Sequence, residues 1–178
     1  MSEHQHKPGQ RLGQGMLVVS FALALIALTL FFNGWLKQQA NPNSNPLSLE
    51  TADGVREVVL ERNRQGHYVV SGTINHIAVT FLLDTGATDV AIPAAVATAA
   101  GLEPGLAGRA STANGLVTVY ATRIAELQIG NIILNNIDAS ITPSMSGNTI
   151  LLGMSALREI EFTQRGTTLT LRQLPARG

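Results

Sequence analysis

Apolar residues are distributed along this chain in two different ways. Residues 16–32, MLVVSFALALIALTLFF, carry no charge, and extended to Leu36 they approach the roughly 20 residues an α-helix needs to cross a hydrocarbon core of about 30 Å. From Val55 onward the pattern changes to short runs rich in Val, Ile, Thr and Leu between turn residues, the signature of an all-β domain built from many short strands. Between the two lies KQQANPNSNPLS, rich in Asn, Pro and Ser, which has too few apolar residues to bury and is expected to act as a spacer. The expected organisation is therefore a tail at 1–15, a membrane-spanning helix at 16–36, a linker at 37–56 and an all-β domain at 57–174.

Within the β region, residues 67–74 and 77–83 flank Asn75-His76 and are expected to form a hairpin. VAIP, ending at Pro93, is a strand, and AAVATAAG a short helix with Pro93 at its start and Gly101 as its stop. Asn114-Gly115 is a strong hairpin signal between two segments able to be strands. IILNNIDASI is a long strand or a strand pair, TPSMSGN a loop, and TILLGMSALREIEF a strand, a glycine and a helical turn. FTQRGTTLTLR closes the domain as a hairpin about Arg165-Gly166. The sequences INHIAVTFLLDTG and IGNIILNN…TILLG repeat one theme loosely, so two halves would each send an apolar strand to a common centre.

Composition narrows the function. The 178 residues include 12 basic and 12 acidic ones and no basic cluster in the body, which removes the electrostatic footprint of a nucleic-acid binder. There is no cysteine, so neither disulfides nor thiolate metal sites are available. Aromatic residues make up 4% and the single Trp35 lies outside the body, which argues against a stacking groove for sugars or bases. A cleaved signal peptide has an apolar region of about 7 to 15 residues, shorter than this one, and no small-residue cleavage pattern follows it. Lys7 and Arg11 precede the span and Lys37 follows it, a bias that puts the N-terminus inside and the body outside. His4 and His6 lack further ligands nearby and belong to a solvated tail, while His67 and His76 have no visible carboxylate partner and are read as structural.

The candidate chemistry is in FLLDTGATDVAIP, where an apolar strand runs into Asp84. Asp-Thr-Gly alone is an ordinary turn sequence. Its context is more specific: Asp84 to Thr88 read DTGAT, Thr112 to Gly115 read TANG, and Leu151 to Ser155 read LLGMS, in that order. In these three strings, and from about Gly66 to Arg172, the chain resembles the single-span bacterial aspartic proteases that look like retropepsins. Ala156 departs from the aromatic residue usual after Met-Ser in that family, a difference expected to touch packing and not the carboxylate.

The resemblance implies a retropepsin-like fold, half of a closed β-barrel dimer, with one catalytic aspartate per subunit. The physical case agrees. Hydrolysing a peptide without a metal or a covalent nucleophile needs one group to activate water and another to protonate the carbonyl, so a single carboxylate is insufficient. No second Asp-Thr-Gly or Asp-Ser-Gly exists, so the partner of Asp84 is expected to be Asp84 of another copy, with one proton shared by the pair. Thr85 would offer its hydroxyl across the dimer axis, and Gly86 would let the backbone turn and approach closely. Ala87, Thr88 and Asp89 would line the nearest subsites, although Asp89 reads equally as a solvated carboxylate. Thr112, Ala113, Asn114 and Gly115 would form a flap over an extended substrate, or else a plain hairpin, and Gly153 would pack beneath the active loop.

The expected function is thus a membrane-anchored aspartic endopeptidase, homodimeric, without metal or cofactor, acting on peptide or protein substrates. Its expected location is the bacterial inner membrane with the catalytic domain facing the periplasm. The alternative is a dimer of the same fold that binds peptides without cutting them. A glycosidase using Asp84 and Asp89 fails for want of an aromatic platform and of any reason for suitable carboxyl spacing.

Overall fold

The computed structural model describes residues 8–112 and 115–175, with side chains from Gly13 on. The chain divides into two units, Met1–Gln38 and Gln39–Gly178. The first is carried by helix α1, Pro8–Ala40, of 33 residues, about 50 Å long at 1.5 Å per residue. Its stretch Gly13–Ala40 is long and apolar enough to cross a membrane, and none of it is buried in the protein. Leu17, Phe21, Leu30 and Phe31 are exposed on it. The Thr29 hydroxyl donates to the Leu25 carbonyl at 2.7 Å, so this polar group is satisfied inside the helix.

The second unit is mostly β, as the short-run pattern predicts. Strands β1 (Leu47–Glu50), β2 (Arg56–Glu61), β10 (Glu161–Arg165) and β11 (Thr168–Gln173) form a four-stranded sheet in the order β1-β2-β11-β10. Strands β3 (Val69–Ile74), β4 (Ile77–Leu83), β5 (Val90–Pro93), β6 (Ala107–Thr112), β7 (Gly115–Ile129), β8 (Ile132–Thr142) and β9 (Thr149–Leu152) form the larger sheet, ordered β3-β4-β9-β5-β8-β7-β6. β3 also pairs with β7 through Thr73↔Gln128 and Ile74↔Leu127. That pairing closes β3, β4, β9, β5, β8 and β7 into a ring and leaves β6 outside it as the free arm of a hairpin. Inside lie Phe81, Ile92, Ile124, Ile150, Leu152 and Leu157, each fully buried, each contributing about 1.5–3 kcal/mol by leaving water.

The Asn75-His76 hairpin forms as expected, because Asn75 and His76 take the left-handed conformation (φ 45° and 67°) that a two-residue primed turn requires. The turn is anchored: Asn75 Nδ2 donates to the Ala100 carbonyl at 3.1 Å, and the Glu126 amide donates to Asn75 Oδ1 at 3.2 Å. His76 does have a carboxylate neighbour, Glu126, at 3.5 Å. Short helix α2, Ala94–Ala99, follows β5 directly with Pro93 at its N-cap, and Gly101 ends it at φ 66°. IILNNIDASI is a single long strand, β8. The last hairpin turns at Gly166-Thr167, one residue later than expected, since Arg165 pairs with Thr168.

Residues 41–50, inside the stretch expected to be a spacer, are part of the folded unit. Asn43 is buried, donates from Nδ2 to the carbonyls of Glu61 and Val69 (2.9 and 2.7 Å) and accepts from the Glu61 amide at 2.7 Å. β1 then pairs along β2 from Leu47↔Val59 to Glu50↔Arg56. Composition suggested a spacer because one well-placed Asn, rather than apolar bulk, does the anchoring.

Candidate active site

Two parallel strands deliver the site. β4 and β9 pair in register from Thr80↔Thr149 to Leu83↔Leu152, so the apolar pairs of the repeated theme end side by side, one at Asp84 and the other at Gly153. The Asp84 amide extends the ladder by donating to the Leu152 carbonyl at 3.1 Å. The chain then folds back: the Ala87 amide donates to the Asp84 carbonyl at 3.2 Å, and Asp84 Oδ1 accepts the Gly86 amide at 2.9 Å. This Asx-type turn fixes the carboxyl of a half-buried Asp84 relative to its own loop. A Cβ on residue 86 would come within 3.1 Å of Asp84 Oδ1, so glycine at this position leaves the carboxylate its place.

A second loop grips the first. The Met154 amide donates to the Ala87 carbonyl at 2.8 Å and the Ser155 amide to the Thr88 carbonyl at 2.9 Å. The buried Ser155 hydroxyl donates to the Asp138 carbonyl at 2.7 Å and accepts the Val90 amide at 3.0 Å, which ties the loop's exit to β8. Between them Gly153 is buried against backbone. A Cβ there would overlap Asp89 O, come within 2.7 Å of Asp89 C and 2.8 Å of Ala87 O, all main-chain atoms that cannot step aside. Gly153 therefore does pack beneath the loop. Short helix α3, Met154–Leu157, continues from it and buries Ser155, Ala156 and Leu157. Ala156, where an aromatic residue was noted as usual, is fully buried in the core.

The structure thus brings residues 84–88 together with residues 152–155. Ala87 is half-buried, while Thr85, Gly86, Thr88 and Asp89 face solvent. Thr112 and Gly115 sit on a separate element, paired with each other at the end of the β6–β7 hairpin, where the Thr112 hydroxyl donates to the Gly115 carbonyl at 2.8 Å. Ala113 and Asn114 lie outside the described residues. Among the described residues Asp84 makes no ion pair, and no three His, Cys, Asp or Glu side chains are grouped as a metal site. Chemically, the loop presents one oriented carboxyl at a surface.

Residues 70–159 match the family model described as gag-polyprotein putative aspartyl protease, a span that contains both loops. The chain belongs to this family of retropepsin-like aspartic proteases. It is 28% identical over 174 residues to an uncharacterized protein in the cobV 5′ region of a Sinorhizobium species, covering 93% of this chain and 74% of that one. Among solved structures it is similar to a retropepsin-like aspartic protease from Rickettsia conorii, at 25% identity and a TM-score of 0.54, covering 72% of this chain and 95% of that one. The fold is retropepsin-like, with one apolar N-terminal helix that could span a membrane.

Sequence reasoning missed two parts of this retropepsin-like site. Ser155 was visible only as a letter in LLGMS; its bonds reach 65 residues back to Val90 and 17 back to Asp138, which no local pattern displays. The other is an open pocket of about 270 Å³ beside Thr85, lined among others by Tyr68, Leu83, Phe162 and Gln164. Its residues come from five separate segments.

Proposed function

We propose that this protein is a membrane-anchored aspartic endopeptidase whose site is completed by Asp84 of two identical subunits. The observation that supports it most is the setting of Asp84: a carboxyl held by the Gly86 amide at 2.9 Å, on a loop locked from below by Gly153 and Ser155, with no second carboxyl paired to it within the described chain. A loop held this rigidly suits a reacting group, and a lone carboxyl suits one that is met by its twin.

With two Asp84 side chains close together, both cannot be ionised, and the pair holds one proton. The ionised one takes a proton from water as the oxygen attacks the peptide carbonyl carbon, and the protonated one donates to the carbonyl oxygen. Collapse of the tetrahedral intermediate then breaks the C–N bond: one hydroxyl of the intermediate returns its proton to the ionised carboxyl while the leaving nitrogen takes a proton from the other, so the pair again holds one proton. Thr85 braces the two loops across the axis. Ala87, Thr88 and Asp89 border the substrate, and the hairpin end at 112–115 covers it as a flap, adding strand-like hydrogen bonds to an extended peptide.

Helix α1 would cross the bacterial inner membrane within residues 16–36, leaving 1–15 in the cytoplasm and the folded unit in the periplasm. Sharing one membrane raises the local concentration of subunits and favours pairing. The test is cleavage of a mixed peptide library by wild type and by Asp84→Asn. Replacing a general acid–base group is expected to lower the rate by at least about 10²- to 10⁴-fold. Equal cleavage by both proteins would remove Asp84 from the chemistry, and binding without cleavage by wild type would leave a peptide-binding module.

A further inference from the structure

The stretch expected to be a spacer leaves almost no slack between the span and the body. Gln39 and Ala40 already belong to the folded unit: Arg64 Nη1 donates to Gln39 Oε1 at 3.2 Å, and Asn63 Nδ2 to the Ala40 carbonyl at 3.0 Å. Asn41 Nδ2 then donates to Ser71 Oγ at 3.0 Å, and Asn43 is buried. Only Lys37 and Gln38 separate this held chain from Leu36, the end of the expected span. By chain length alone Gln39 lies no more than about 11 Å from Leu36, where Trp35 suits the membrane interface. The headgroup layer is itself about 5–8 Å deep, so a group that touches Gln39 reaches it by connectivity.

That group is basic. The loop 62–67, RNRQGH, is built around Asn63, whose Oδ1 accepts the amides of Gln65 at 3.0 Å and His67 at 2.9 Å and whose carbonyl accepts the Gly66 amide at 3.0 Å. Arg62 and Arg64 flank Asn63, are exposed, and have no ion-pair partner among the described residues. Exposed Lys37 stands two residues before Gln39. Residues 37–49 and 62–83 contain no acidic residue, and Glu61, at the start of the loop, accepts the Thr168 hydroxyl at 3.2 Å. A chain of zero net charge thus collects unpaired cations at the membrane end of its body, from segments that form no basic run in the sequence.

We propose, resting on the membrane-anchor part of the reading above, that the loop 62–67 docks on the phosphate headgroups of anionic lipids where α1 leaves the bilayer. A planar guanidinium gives two donors at once to phosphate oxygens, and each basic residue near an anionic surface multiplies the docked population about fivefold. Because Asn63 joins the loop to Ala40, docking fixes how the catalytic unit is turned toward the bilayer. Two copies docked alike are related by an axis along the membrane normal, so the subunits meet in one plane and one orientation.

The chain has no cysteine, so Gln65→Cys in the full chain carries a single fluorophore on this loop. In nanodiscs that bear a headgroup-level quencher, quenching should be stronger with phosphatidylglycerol present than in phosphatidylcholine alone, and should fall to the neutral-disc level in about 1 M salt, where the Debye length is about 3 Å. Arg62→Gln combined with Arg64→Gln should lower the ratio of docked to free loop in anionic discs roughly 25-fold, while the unfolding temperature in detergent stays that of wild type. Inorganic phosphate should displace the loop no better than chloride at equal ionic strength; stronger displacement would make this a site for the free ion and overturn the bilayer assignment. Equal quenching in neutral and anionic discs, by a chain that resists an alkaline wash of its vesicles, would overturn the docking and leave the anchor standing. Release of the chain by that wash would remove the anchor and the docking with it.

Discussion

The carbonyl of Ala87 accepts the amide of Met154 at 2.8 Å. Through that bond the turn after β9 becomes the floor of the loop that carries Asp84, and Gly153 is the residue that lets the two backbones meet. Gly153→Ala forces its methyl into Asp89 and Ala87 main-chain atoms, and overpacking of this kind costs about 1–3 kcal/mol. The variant should unfold several degrees below wild type and lose most cleavage activity. Thermal unfolding beside a peptide assay checks this, and a variant equal to wild type in both would show that the loop yields freely.

Ser155→Ala separates structure from chemistry. It leaves the Val90 amide and the Asp138 carbonyl without their partner in a buried place, at a cost of about 1–3 kcal/mol. Stability should fall by that amount in denaturant titration. Because Ser155 is buried with backbone partners and is not one of the proposed acid–base groups, the pH profile of the remaining activity should keep its shape.

Thr85 is exposed in the single chain, so Thr85→Ala should leave the stability of the folded unit within about 0.5 kcal/mol of wild type. The dimer should suffer instead, with a dissociation constant raised about tenfold, the worth of roughly one hydrogen bond. Sedimentation and the concentration dependence of cleavage read this directly. A large drop in unit stability would assign Thr85 to the fold rather than to the interface.

Asn43 defines where the folded unit begins. Its three hydrogen bonds to Glu61 and Val69 predict that Asn43→Ala costs about 1–3 kcal/mol. A soluble body starting at residue 41 should likewise be more stable than one starting at 52, which lacks Asn43 and β1. Equal unfolding midpoints for the two would make residues 41–50 a passive tether.

The parts of this molecule that could be read from sequence are those whose physics is local. Asp84 stands out because an apolar strand stops at a carboxylate and a turn, and Asn75-His76 because both residues tolerate the left-handed conformation the turn demands. The apolar helix shows by its length alone. What was hidden depends on contacts between distant segments: β2 finds β11 more than a hundred residues away, and Asn43 sits in a stretch whose composition resembles a spacer. The second arm of the Asn114-Gly115 hairpin runs 15 residues as β7, a length that the turn signal at its start does not display. The Gly166-Thr167 turn was displaced by one residue because both Arg165-Gly166 and Gly166-Thr167 are acceptable turn pairs.

The central claim, that each subunit lends one Asp84 to a shared site, is tested most directly by mixing. Wild type and Asp84→Asn protein, allowed to exchange subunits at constant total concentration, are assayed for peptide cleavage as the wild-type fraction is varied. A shared pair predicts that activity follows the square of that fraction, about one quarter in an equal mixture of a twofold-symmetric dimer. A straight-line fall, to about one half in the same mixture, would mean that each chain cuts on its own and would contradict the account.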